Sequence, residues 1–156
     1  MMSPAEPAAY RESWRAHWLG SIEEISNIAM QRATWMNPSN GNPHYSYVEY
    51  RCSYFDDLHL DEGYDSLIEE GFVTTAEAGA VSEFHAVLKA HEPPTGDQYD
   101  HQAILADPNW LAVVQAGRAT ADRLEPLLTD PREISHLRET SPSALQAAIT
   151  ANGALT

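Results

Sequence analysis

The sequence of 156 residues predicts an all-α fold, an irregular or orthogonal bundle of about six helices. Three observations carry that expectation. Apolar residues recur three and four apart over long stretches. Those stretches are separated by turn formers and by Asx-Pro or Ser-Pro pairs that open helices. The one segment rich enough in Tyr, Val and Phe to be a strand has no second convincing strand to pair with.

Residues 7–36 read as a long first helix, with Trp14, Trp18, Ile22, Ile25, Ala29 and Met36 on one stripe. Gly20 marks a kink or a close crossing within it, and the turn-rich run Asn37 to Pro43 ends it. In "HYSYVEYRCSYFDDL" the residues Tyr45, Val48, Cys52 and Phe55 sit three or four apart, as do Tyr47, Tyr50, Tyr54 and Leu58. The segment therefore reads as a central helix, capped by Asn42 before Pro43 or by the Ser46–Glu49 box. A small hairpin over 44–55 is the alternative. A short helix over about 64–70 stops at Gly71, and Thr74 or Thr75 opens the next, to about 91. Its inner face is Ala78, Val81, Phe84 or His85, and Leu88, with Glu77 and Glu83 outside. Asp107-Pro108 opens a helix striped by Trp110, Val113, Val114, Gly117, Ala121, Leu124 and Leu128, with Pro126 bending or ending it. Asp130-Pro131 and Ser141-Pro142 open two short final helices. One domain spanning 1–156 is expected, with 1–8 and 151–156 flexible.

The formal charge is −14, from 23 acids against nine Lys and Arg. Such a charge repels nucleic acid and anionic lipid, and steers the chain toward a basic protein. Cys52 is the only cysteine, which excludes an internal disulfide and a cysteine-rich zinc site. It reads as a packing thiol. No apolar run reaches membrane-spanning length, and the N-terminus has neither the basic start nor the apolar core of a signal peptide. A cytoplasmic chain, monomer or homodimer, is expected.

No GxSxG, phosphate loop or GxGxxG occurs, and adjacent carboxylates on a helix point apart rather than at one substrate. No catalytic residue, metal or cofactor is expected. The conspicuous feature is "YFDDLHLDEGYDSLIEEGF", with seven acids and no Lys or Arg. Asp56, Asp57, Asp61, Glu62, Asp65, Glu69 and Glu70 lack the i,i+4 partners that would neutralise them. Glu69 and Glu70 also stand at a helix C-terminus, where the dipole disfavours them. Like charge left unpaired costs stability, which favours a binding surface over a structural role. Tyr45, Tyr47, Tyr50, Tyr54 and Tyr64 are too many to be buried together. Tyr54, Tyr64 and Tyr99 are expected at the surface, where rings supply contact area and acids supply steering.

The stretch "FHAVLKAHEPPTGDQY" resembles, locally, the nuclease-colicin immunity proteins, whose second helix runs through a Phe into His-Pro-x-Gly-Ser-Asp and then tyrosines. Phe84, His91, Pro94, Gly96, Asp97 and Tyr99 carry the match. There is an extra residue between His91 and Pro94, no Ser before Asp97, and no Tyr-Tyr-Pro ending. The wider layout, in "YFDDL", "GYDSLIEEG" and "EFHAVL", resembles small acidic bacterial immunity proteins of contact-dependent and other polymorphic toxin systems. The resemblance implies tight binding of a cognate basic toxin, often a nuclease, and, by position, contacts through Glu83, Asp97 and Tyr99. Two other classes compete. One is a metal-dependent enzyme using His85, His91 and His101 with nearby acids. The other is a homo-oligomeric structural protein joined through the tyrosine-rich helix.

Overall fold

The computed structural model describes residues 5–37 and 42–152. Every regular element in them is helical, as the periodicity requires. In chain order these are α1 (Ala5–Ser26), α2 (Ile28–Thr34), α3 (Tyr47–Phe55), α4 (Asp65–Glu69), α5 (Thr75–Ala90), α6 (His101–Ala106), α7 (Pro108–Leu124), α8 (Pro131–Arg138) and α9 (Pro142–Asn152). A 3-10 turn at Glu125–Leu127, containing Pro126, ends α7. The flexibility expected at 1–8 and 151–156 falls largely outside the described residues. Within them, residues 5–8 already belong to α1, and 151–152 close α9.

The first helix is shorter than its stripe suggested. It breaks at Asn27, whose Oδ1 accepts the Met30 N–H at 3.2 Å and caps α2. Gln31 makes the break tolerable. Its side-chain NH2 donates to the Glu24 and Ile25 carbonyls at 3.0 and 2.9 Å, two of those that α1 leaves open at its end. The change of direction takes Ala29 and Met36 off the buried stripe, while Trp14, Trp18, Ile22 and Ile25 remain on it. Gly20 lies inside α1 without breaking it.

Residues 44–55 form helix rather than hairpin. The cap is Ser46, whose Oγ accepts the Glu49 N–H at 3.1 Å, so α3 begins after Asn42-Pro43 rather than at them. Thr74 and Glu77 form the full capping box of α5. Asp107, Asp130 and Ser141 cap α7, α8 and α9 as read from the Pro pairs. The helix α6 has no counterpart in the sequence reading. It is only six residues long, and its cap, Asp100, lies in a stretch read as loop.

The spine of the bundle is α1, packed on α7, α8 and α3, while α5 lies along α7 and α2 along α9. Gly117 sits where α1, α5 and α7 meet. A methyl group there would strike the Ser26 side chain of α1 and press on Phe84 of α5. The core is unusually aromatic. Trp14, Trp18, Trp35 and Trp110 are all buried, and ring contacts tie Trp35 to Tyr47, Tyr50 and Trp110 at 5.1–6.4 Å. None of the described helices is long and apolar enough to cross a membrane.

Candidate functional site

Segment 56–70 joins α3 to α4 and continues to the end of α4. Its acids and its apolar residues separate cleanly. Asp56, Asp57, Asp61, Glu62, Asp65, Glu69 and Glu70 are exposed, whereas Leu58, Leu60, Tyr64 and Leu67 are buried. The backbone manages this with residues in the left-handed region: His59 at φ 57°, Gly63 at φ 97° and Gly71 at φ 82°. His59 is the only described residue other than glycine held there. Helix α1 clamps the segment from below. Trp14 Nε1 donates to the Leu58 carbonyl at 3.2 Å, and Arg11 Nε donates to the Gly71 carbonyl at 2.8 Å.

Among the described residues, none of those seven carboxylates has an ion-pair partner. The nearby cations are spent on backbone. Lys89 Nζ donates to the Asp61 carbonyl at 2.9 Å. The Arg51 guanidinium donates to the Leu88 carbonyl and lies over the Tyr47 and Phe55 rings. Both cations line a shallow cleft of about 390 Å³ beside Cys52, Phe55, Asp56 and Asp61. Burial, reinforced by Asp56, pushes the Cys52 thiol above its ordinary range, opposite to an activated nucleophile.

The tyrosines overturn the expectation made for them. Tyr45, Tyr47, Tyr50, Tyr54 and Tyr64 are all buried, so Tyr54 and Tyr64 are core residues and not surface anchors. Hydroxyl partners make this possible for Tyr47, Tyr54 and Tyr64. Trp18 Nε1 donates to Tyr64 Oη at 2.8 Å, Tyr64 and Tyr54 share a 2.6 Å hydrogen bond, and Tyr54 Oη meets His85 Nδ1 at 3.0 Å. The indole only donates, so Tyr64 Oη accepts from Trp18, while either phenol can donate in the bond that Tyr64 and Tyr54 share. The row ends at His85. Burial, followed by Lys89, holds its pKa below the usual imidazole value. The same burial leaves none of these five rings on the surface of the tyrosine-rich segment. Of the expected anchors, Tyr99 alone is exposed, at 67%.

Glu83 and Asp97 are exposed. Glu83 faces Arg123 across 3.7 Å, and Asp97 Oδ1 accepts the Tyr99 N–H at 2.9 Å in the loop before α6. No described hydrogen bond, ion pair or ring contact joins these residues to 56–70.

Glu77, placed outside by its helical position, is buried. Its partner is Arg15, a cation that the apolar stripe of α1 concealed. Arg15 is 3% exposed. Its guanidinium donates to Glu77 at 2.9 and 2.7 Å, to Glu133 at 2.7 and 3.1 Å, and to the Phe72 carbonyl at 2.9 Å. Burial works against the charge on Arg15, but the Glu77 and Glu133 bonds overcome it and raise the pKa. Burial likewise opposes the Glu77 charge, and Arg15 with Thr74 overcomes it, so the Glu77 carboxyl stays below the ordinary range. The cluster fastens α1 to α5 and α8.

The histidines do not converge. His85 ends the tyrosine row, and His101 Nδ1 meets the Trp35 carbonyl at 3.1 Å. His91 lies between Tyr47 Oη and Asp107 Oδ2, each at 2.9 Å. That carboxylate–imidazole–hydroxyl row has the spacing of a catalytic triad. It is sealed, however, with Asp107 and His91 side chains 8% and 1% exposed, and it joins the end of α5 to the starts of α3 and α7. A second pair, His17 Nε2 and Ser53 Oγ, stands at 2.8 Å. The same nitrogen lies 3.0 Å from the Ser53 carbonyl, which only accepts, so Nε2 carries the hydrogen and cannot take the Ser53 proton. Among the described residues no three His, Cys, Asp or Glu side chains group as a metal site.

Compared with known proteins, the chain matches no family model, no curated protein and no solved structure.

Proposed function

We propose that this protein is a non-enzymatic, immunity-type binder that neutralises a basic toxin, such as a nuclease, in the cytoplasm. One observation carries the reading: the seven carboxylates of 56–70 stand exposed without ion pairs on a segment whose apolar residues are anchored in the core. A preformed negative surface needs no ordering before it meets a cationic partner, which favours fast, electrostatically steered association. Lys89 and Arg51 bond to backbone carbonyls and not to these carboxylates, and two cations beside seven acids leave the segment net negative. Tyr99, Asp97 and Glu83, the positions implied by the immunity-protein resemblance, supply further exposed polar and aromatic contacts.

The test uses the neighbouring reading frame, where this function expects a large secreted protein with a basic C-terminal domain. Cells expressing that domain should survive when the wild-type chain is co-expressed. Replacing Asp56, Asp57, Asp61, Glu62 and Asp65 by their amides should slow association at low salt by about tenfold or more. Equal protection and an equal, salt-insensitive association rate in the amide variant would remove this segment as the binding surface.

A further inference from the structure

A larger cleft than the one beside Cys52 lies elsewhere. It encloses about 630 Å³ between α1, α3 and the junction of α8 with α9, and none of the acids of 56–70 lines it. Its floor includes the buried hydroxyls of Ser21 and Ser53, 3.3 Å apart. Glu23, Glu24 and Glu139 stand on its walls, and neither Lys nor Arg lines it.

Neutral side chains hold Glu23 and Glu139, while Glu24 holds the His44 imidazole and raises its pKa. Glu23 Oε1 accepts from Asn27 Nδ2 at 2.9 Å and from Thr140 Oγ1 at 3.5 Å. Glu24 Oε2 meets His44 Nε2 at 2.7 Å, and Glu139 accepts from Ser135 Oγ. These bonds fix the oxygens in position and leave further lone pairs for a ligand. Burial, with the neighbouring Glu24 charge, pushes the Glu23 carboxyl above its ordinary range, which a bound cation would reverse.

Two further features select the sign of the ligand. The end of α8 borders the cleft through His136 and Glu139, and a helix C-terminus favours positive charge. The start of α9 also borders it, but offers an anion little. Pro142 has no N–H, and Ser141 Oγ already takes the Ala144 N–H at 3.1 Å. The Tyr45 ring, its centroid 5.0 Å from that of His44, adds an aromatic face on which a cation can lie.

We propose that this cleft binds an organic cation, an alkylammonium or alkylguanidinium group, through Glu23, Glu24 and Glu139. The site shares no residue with segment 56–70, so it stands or falls separately from the toxin-binding function.

Carbon-detected two-dimensional NMR titration of the full chain at low salt tests it, run at about pH 8 and about pH 9 because Glu24 raises the His44 pKa above the ordinary imidazole value. The probes are agmatine, putrescine and N-acetyl-arginine amide, with butanol and glutarate as neutral and anionic controls. The cations should give saturable shifts at Ser21, Tyr45, Ser53 and Thr140, and the controls none. Glu23→Gln with Glu24→Gln should weaken binding by roughly tenfold or more. Glu139→Gln, which leaves the His44 contact intact, should weaken it less, and Asp56→Asn with Asp57→Asn should change nothing. Tighter binding of the free amines points to a small-molecule ligand, and tighter binding of the arginine amide to a side chain of a protein partner. No saturable shift, equal binding of butanol or glutarate, or undiminished binding in the Glu23/Glu24 and Glu139 variants overturns the proposal.

Discussion

The molecule treats its acids in two opposite ways. At the junction of α1, α5 and α8, Glu77 and Glu133 close on Arg15, with every hydrogen bond at 3.1 Å or less. Along 56–70, seven acids stand in water, and no cation among the described residues pairs with their carboxylates. The residue types are the same, and the surroundings decide what each does. In the first region removal from water makes a carboxylate dependent on its partner. In the second, solvent screens the repulsion and the cost of leaving charges unpaired is small. The chain thus pairs the buried Glu77 tightly and leaves the carboxylates of 56–70 to solvent.

Breaking the buried region should have the largest effect. Arg15→Met leaves Glu77 buried without its cation, and should cost about 3–5 kcal/mol in urea unfolding. Adding Glu77→Gln to that variant should recover part of the loss. A shift below about 1 kcal/mol would mean that the cluster is not the fastening described.

Acid sharpens the contrast. The Glu77 carboxyl is held below its unfolded value, so its contribution is complete above about pH 4.3 and is lost as pH falls through the folded value. Glu23 is shifted the other way. Its ionisation costs stability, and the cost is present at neutral pH and disappears as the group takes up its proton on acidification. In pH-dependent unfolding, Glu77→Gln should flatten the acid limb, and Glu23→Gln should raise stability at pH 7 with little effect below about pH 4. An unchanged acid limb in Glu77→Gln would separate that residue from the acid sensitivity.

The smallest change is expected on 56–70. Glu69→Gln and Glu70→Gln should each alter stability by less than about 0.5 kcal/mol, in the stabilising direction at low salt. Loss of stability beyond that would show these acids to be structural after all.

The helices were legible because their caps are local. Ser46, Thr74, Asp107, Asp130 and Ser141 each bond within a few residues of themselves. The position of the acids of 56–70 was also legible, since repeated acids without cations announce exposure. What escaped the reading depends on residues far apart in sequence. Arg15 and Glu133 are separated by 118 positions, and Trp18 and Tyr64 by 46. A composition rich in tyrosine suggested a surface because no local pattern says which hydroxyls will find partners inside. The one signal for Arg15 was its place between Trp14 and Trp18 on the apolar side of α1, where an isolated cation needs a carboxylate brought from elsewhere.

The aromatic core also gives the protein an optical gauge of its own state. Trp18 touches the Tyr64 ring at 6.3 Å, and Trp35 and Trp110 touch those of Tyr50 and Tyr47 at 5.1 and 5.3 Å. Excitation absorbed by these tyrosines passes to the indoles, so the native chain emits chiefly as tryptophan. When the rings separate, phenol emission should emerge, reporting loss of the core without any added dye.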